Sequence, residues 1–172
     1  MSSIDVLISE EDVRARIRQM ADTLSEKYKG KDVLLVGILN GSAFFLTALA
    51  QAMAVPVEVD FMAASSYGSG TESSGNVVIT REMSRPVKGR NVIIVEDIID
   101  TGRTLKVIAD MIRDMEPASL DVVALLDKPD RRMTDFEGDL VGFKIPDVFV
   151  VGWGLDYNYK YRDLPFVGIY RE

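Results

Sequence analysis

Val13, Ile17, Met20, Leu24 and Tyr28 recur at spacings of four, three, four and four, one apolar stripe of a helix that ends near Gly30. Ser9 followed by Asp12 gives that helix a capping box, with Asp in place of Glu. Val33–Leu39 is a continuous apolar run of strand length, broken by Asn40-Gly41-Ser42 before a second helical stretch at Ala43–Met53. Further strands are predicted at 57–63, 76–80, 91–95, 120–126, 141–145, 148–151 and 167–170. Thr104–Met115 has helical spacing at Leu105, Ile108, Met111 and Ile112, and Pro117 stops it. Neither an internal repeat nor a linker divides the pattern. It predicts a single α/β domain over residues 1–172, with a mainly parallel central sheet flanked by helices. Ligands of such sheets bind beyond the carboxyl ends of the strands.

One stretch departs from this regularity. Eight of the eleven residues in Ser65–Gly75 are Gly or Ser, too polar to pack and long for a loop in a small domain. It reads as a lid over a site or as a flexible hairpin connection, and Tyr67, its one large side chain, favours the lid.

Composition narrows the chemistry. The 172 residues carry 20 basic and 27 acidic side chains, a formal net charge of −7. That balance opposes a nucleic-acid binder, which needs a basic face. The chain has no Cys and no His, which removes thiol nucleophiles, zinc–thiolate sites and the usual general base. Acid–base work falls to Asp, Glu, Lys or Tyr. The start, MSSIDVLISEEDV, lacks a signal-peptide pattern, and no apolar stretch reaches the ~18 residues of a membrane span. A soluble, cytoplasmic protein without membrane partners is expected.

The informative segment is Asn91–Leu105, NVIIVEDIIDTGRTL. A buried strand runs into Glu96-Asp97, then Asp100-Thr101-Gly102-Arg103-Thr104, then a helix. Three carboxylates at one strand end are costly without a cation, a ligand or solvent. Thr-Gly-Arg-Thr at a helix start offers hydroxyls, free N–H groups and the positive end of the helix dipole, which suits a phosphate. Together they suggest a substrate with a phosphate beside a diol, held with Mg²⁺. The ordinary structural alternative, Asp100 as a helix cap, leaves Glu96 and Asp97 unexplained. Neither a Walker sequence nor a G-x-G-x-x-G fingerprint is present.

This segment resembles the phosphoribosyl-diphosphate signature of type I phosphoribosyltransferases. With ILNGSAFF, SSYGSG, LLDK and VGFKIPDVFVVGWGLDYNYKYRDLP, the chain from about Val33 to Tyr170 is similar to their hypoxanthine (guanine) branch. The resemblance implies that fold, with a flexible lid at about 65–75 and a small hood, built from the chain termini, over the base site. It implies transfer of ribose phosphate from phosphoribosyl diphosphate to N9 of a 6-oxopurine, with Mg²⁺ as cofactor. Glu96 and Asp97 then hold the ribose hydroxyls, partly through the metal, and Asp100 is the catalytic carboxylate near purine N7. Thr101, Gly102, Arg103 and Thr104 take the 5′-phosphate. Lys128 donates to the 6-oxo group, Phe149 stacks on the base, and the Val150 backbone reads its edge. Asp156 lies by the base as a second metal ligand; Arg162, Ser66, Tyr67 and the Asn40-Gly41 backbone face pyrophosphate. Several relatives carry a basic residue where this chain has Asn40, and the family turns the peptide before it cis.

Taken alone, Lys128 reads as a solvated surface lysine, Phe149 as core, and Asp156 with Arg162 as a surface ion pair. Asp130, Arg131 and Arg132 read as a solvated charge cluster. The resemblance further implies a homodimer or homotetramer. Two alternatives stay open: a phosphoribosyltransferase preferring xanthine, guanine or a pyrimidine, and a phosphoribosyl-diphosphate-sensing regulator without catalysis.

Overall fold

The computed structural model describes residues 3–66 and 77–172, and of Ser66 the backbone only. Its larger sheet has six strands in the order β4-β3-β2-β5-β6-β7. These are β2 (Val33–Leu39), β3 (Val57–Ser66), β4 (Val77–Arg81), β5 (Asn91–Ile99), β6 (Ser119–Asp127) and β7 (Leu140–Lys144). From β3 to β7 across the sheet all neighbours are parallel, and β4 alone pairs antiparallel, with β3. The predicted, mainly parallel sheet is present.

Continuous apolar runs are what a sheet covered on both faces requires. In β2, Val33 and Leu35 pack toward α1 (Glu10–Lys27) and α2 (Ser42–Ala52), whereas Leu34 and Val36 pack toward α3 (Arg103–Asp114). Ile93 with Val95 and Val92 with Ile94 repeat the alternation in β5. The apolar stripe of α1 supplies Val13, Ile17, Met20 and Leu24 to the first layer. Each such side chain stabilises the fold by about 1.5–3 kcal/mol through burial alone. Ser9 caps α1 as the sequence predicts, its hydroxyl accepting the Asp12 N–H at 3.1 Å.

Two features differ from the sequence prediction. A second, three-stranded antiparallel sheet, β1-β9-β8, joins the chain ends: β1 (Ser3–Ile8), β9 (Val167–Arg171) and the short β8 (Val150–Val151). The first of these strands has no counterpart in the hydrophobic pattern. Half of its six residues are exposed, and it pairs with a partner at the other end of the chain, Ser3 opposite Arg171. The second difference is the length of β5, which continues through the acidic pair to Ile99. Ladder pairing of Glu96, Ile98 and Ile99 with Ala124, Leu126 and Asp127 carries it there. Among the described residues no helix is long and apolar enough to cross a membrane.

Candidate active site

At the carboxyl ends of β2 and β5 lies a cavity of about 270 Å³. Gly41, Glu96, Asp97, Asp100, Thr101, Gly102 and Thr104 all line it. Glu96 and Asp97 are adjacent on β5 and half-buried. The Asp97 N–H donates to Glu96 Oε1 at 3.1 Å, and the Ile98 N–H to Asp97 Oδ1 at 2.7 Å. Burial, then the neighbouring Asp97 charge, pushes Glu96 well above the ordinary carboxylate range. Burial also raises Asp97, against the Glu96 contact, the Ile98 N–H and the Arg162 guanidinium, which favour its charge. A carboxylate pair held this way favours a bound cation or a polyhydroxyl ligand.

The loop after β2 closes over that pair. Its Leu39–Asn40 peptide is cis. A Cβ at Gly41 would lie 1.6 Å from Asp97 Oδ2, so only glycine lets this backbone rest on the carboxylate. Gly154, at φ +94, comes equally close from the loop after β8: a Cβ there would meet the Gly41 carbonyl oxygen at 2.0 Å. Arg162 donates to the Gly154 carbonyl at 2.5 Å and pairs with Asp156 at 2.8 Å. The Tyr159 N–H fixes the other Asp156 oxygen at 2.8 Å. Arg162 therefore faces both the Gly154 turn and Asp97. Among the described residues no three Asp or Glu side chains gather as a metal cage, so Asp156 stands apart from the Glu96–Asp97 pair.

Opposite the acidic pair, Asp100–Thr104 turns into α3. Gly102 occupies the N-cap position at φ +81, a left-handed conformation that glycine adopts without cost, and no side chain caps the helix. Asp100 is thus not a helix cap. Its Oδ1 instead lies 2.7 Å from Arg131 Nε. The N-terminal N–H groups of α3 and its dipole point at the loop, a ready anion seat.

Lys128 follows β6 and is only 8% exposed, which removes the surface reading. Its N–H donates to the Ile99 carbonyl at 2.9 Å, and its ammonium lies 4.0 Å from Asp147. Val150 is buried at the start of β8. Phe149 is 52% exposed rather than core, and Tyr157 and Tyr170 contact its ring edge-on, at 5.7 and 6.2 Å. The predicted lid, 65–75, is corrected at its start, where Ser65 and Ser66 belong to β3 and pair with Val78 and Val77 of β4; the side chain of Ser66 and residues 67–75, Tyr67 included, lie outside the described residues.

In the charge cluster at 130–132, Asp130 and Arg131 are exposed as a solvated face requires, and the reading fails at Arg132. Arg131 contacts Asp100 and approaches Asp147 at 3.6 Å. The Arg132 side chain is 13% exposed, pairs with the Asp127 carboxylate and donates to the Asp100 carbonyl at 2.6 Å. Charge density alone reads as a solvated face. The partners of Arg132 lie 5 and 32 residues away, so no local spacing announces them.

The phosphoribosyl transferase domain family matches residues 7–160, and the chain belongs to it. Within the family, its relatives are hypoxanthine phosphoribosyltransferases. The Salmonella typhimurium hypoxanthine phosphoribosyltransferase is 46% identical over 168 residues, 96% of this chain and 94% of that protein. The bifunctional protein TilS/HprT of Listeria monocytogenes is 46% identical over 164 residues, and this chain spans 25% of its length. The crystal structure of a Staphylococcus aureus hypoxanthine phosphoribosyltransferase superposes with a TM-score of 0.94 at 44% identity, covering 97% of this chain and 91% of that one.

Proposed function

We propose that this chain transfers 5-phosphoribosyl from phosphoribosyl diphosphate to N9 of hypoxanthine, and of guanine, giving IMP or GMP and pyrophosphate in purine salvage. The observation that carries this reading is the cavity shared by Glu96, Asp97, Asp100, Thr101, Gly102 and Thr104; Arg103, expected with them, does not line it. In it a ribose can place its diol on the acidic pair while its 5′-phosphate takes the N–H groups and hydroxyls of Thr101–Thr104. Asp100 then lies on the base side, where it holds the N7 proton of the purine or offsets its developing charge. Lys128 donates to the 6-oxo group, which separates 6-oxopurines from 6-aminopurines because a 6-amino group sets a donor against the ammonium where an acceptor is needed. Phe149 offers a ring face to the base, and the Val150 backbone meets its edge.

Cleavage of the C1–pyrophosphate bond develops positive charge on the ribose, as in glycoside cleavage. The carboxylates around it favour that charge. On the pyrophosphate side, Arg162 and the Asn40-Gly41 backbone are the groups in reach. Glu96 and Asp97 offer only oxygen donors, and a hard cation would relieve the raised pair, so these two fit Mg²⁺, whereas Asp156, paired with Arg162, would hold a metal only at a separate position toward pyrophosphate. A cation held there would supply charge neutralisation for the leaving pyrophosphate. A homodimer or homotetramer belongs to the same reading, and sedimentation velocity tests it. For the activity, phosphoribosyl diphosphate, Mg²⁺ and each base in turn are followed spectrophotometrically. Turnover of hypoxanthine that stops in excess EDTA supports the assignment, and absence of turnover with every 6-oxopurine overturns it.

A further inference from the structure

We propose that Arg132, held by Asp127, is a positioning residue that ties the base-side turn to the loop seating the 5′-phosphate; the inference rests on the phosphoribosyl-transfer reading above. One guanidinium reaches two segments at once. It donates to the Asp100 carbonyl at 2.6 Å and pairs with the carboxylate of Asp127, the residue before Lys128. The side chains of both are almost enclosed, 13% and 8% exposed. The same turn braces the loop twice more: the Met133 N–H donates to the Thr101 carbonyl at 2.9 Å, and the Lys128 N–H to that of Ile99. Packing closes the contact. A Cβ on Gly102 would meet Thr134 Oγ1 at 2.6 Å and Arg132 Cδ at 3.0 Å.

The direction of the Asp100 carbonyl sets the plane of the peptide leading into Thr101, and hence where the next N–H groups aim. A planar guanidinium serves two acceptors in fixed directions, which a lysine ammonium cannot reproduce. Arg132 touches no reacting atom; it acts through the loop.

The test compares Arg132→Lys, Asp127→Asn and Arg132→Ala in steady-state kinetics, varying phosphoribosyl diphosphate and hypoxanthine separately, with thermal midpoints alongside. The expected result for Arg132→Lys is a KM for phosphoribosyl diphosphate raised about tenfold or more, with that for hypoxanthine moved less than about threefold. Asp127→Asn shifts the same constant in the same direction, and free guanidinium restores part of the Arg132→Ala loss. Should Arg132→Ala not fold, the other two variants decide. Unchanged constants, or equal changes for both substrates that follow the thermal midpoint without rescue, would overturn the inference. A wild type that makes no IMP would instead count against the functional reading. Titration of ribose 5-phosphate then decides for Arg132: tightness unchanged in Arg132→Lys overturns the positioning role, and weakening about tenfold sustains it.

Discussion

Replacing Gly41 by Ala isolates the closest approach in the site. Gly41 has φ −61 and ψ −38, which alanine adopts freely, so the backbone does not resist the change. Space does. The new Cβ would lie 1.6 Å from Asp97 Oδ2, whereas ordinary contact begins at 3.4 Å, so something must yield by 3.4 − 1.6 = 1.8 Å. The Asp97 carboxylate is tethered by the Ile98 N–H at 2.7 Å and cannot swing away without breaking that bond. Moving the loop instead displaces the backbone proposed to face pyrophosphate and presses on Gly154. Overpacking of this kind costs about 1–3 kcal/mol of stability. Misplacing an aligned group by about 1 Å costs on the order of a hundredfold in rate. Gly41→Ala is therefore expected to lower kcat/KM for phosphoribosyl diphosphate about a hundredfold while the protein still folds. Gly89→Ala is the control: its Cβ meets nothing within 4 Å, although φ is +73. It should cost about 1 kcal/mol of stability and leave the kinetics unchanged. Wild-type kcat/KM in Gly41→Ala would refute the close approach.

Lys128→Ala removes a buried charged donor, and the KM for hypoxanthine is expected to rise by the equivalent of about 1.5–3 kcal/mol, more than that for phosphoribosyl diphosphate; equal effects on both would take Lys128 out of the base pocket. Asp60 tests the scaffold. Burial pushes its carboxyl up, but the N–H groups of Phe61, Arg85 and Ser84 outweigh this and hold it below the ordinary range. A depressed folded value stabilises above the unfolded pKa of about 3.9, and that contribution disappears as pH falls through the folded value. Urea denaturation should show Asp60→Asn weaker than wild type at pH about 7 by about 1–3 kcal/mol, the gap closing below pH about 4; a pH-independent gap would contradict the hydrogen-bond account.

The sheet was legible because its central strands are buried on both faces: Val33–Leu39 and Val92–Val95 are apolar throughout. The helix α1 was legible through its stripe and its Ser9 cap. The strand β1 was not, because its order comes from pairing with β9 rather than from its own alternation. The same division runs through the site. Glu96, Asp97, Asp100, Thr101, Gly102 and Thr104 lie in one segment, so their shared cavity could be read from it. Arg132 belongs there only through tertiary partners, and a charged tripeptide between two strands carries no mark of them. The approach of Gly41 and Gly154 is equally silent in sequence, since a glycine that admits a carboxylate looks like any turn glycine.

Competition between two bases tests the central claim most directly. The purified chain is given Mg²⁺, limiting phosphoribosyl diphosphate, and equimolar hypoxanthine and adenine, and the nucleotides are separated by chromatography. The proposed contact of Lys128 with the 6-oxo group predicts IMP, with pyrophosphate released in equal amount and AMP at background. AMP in comparable yield, or consumption of phosphoribosyl diphosphate without IMP, would contradict the account.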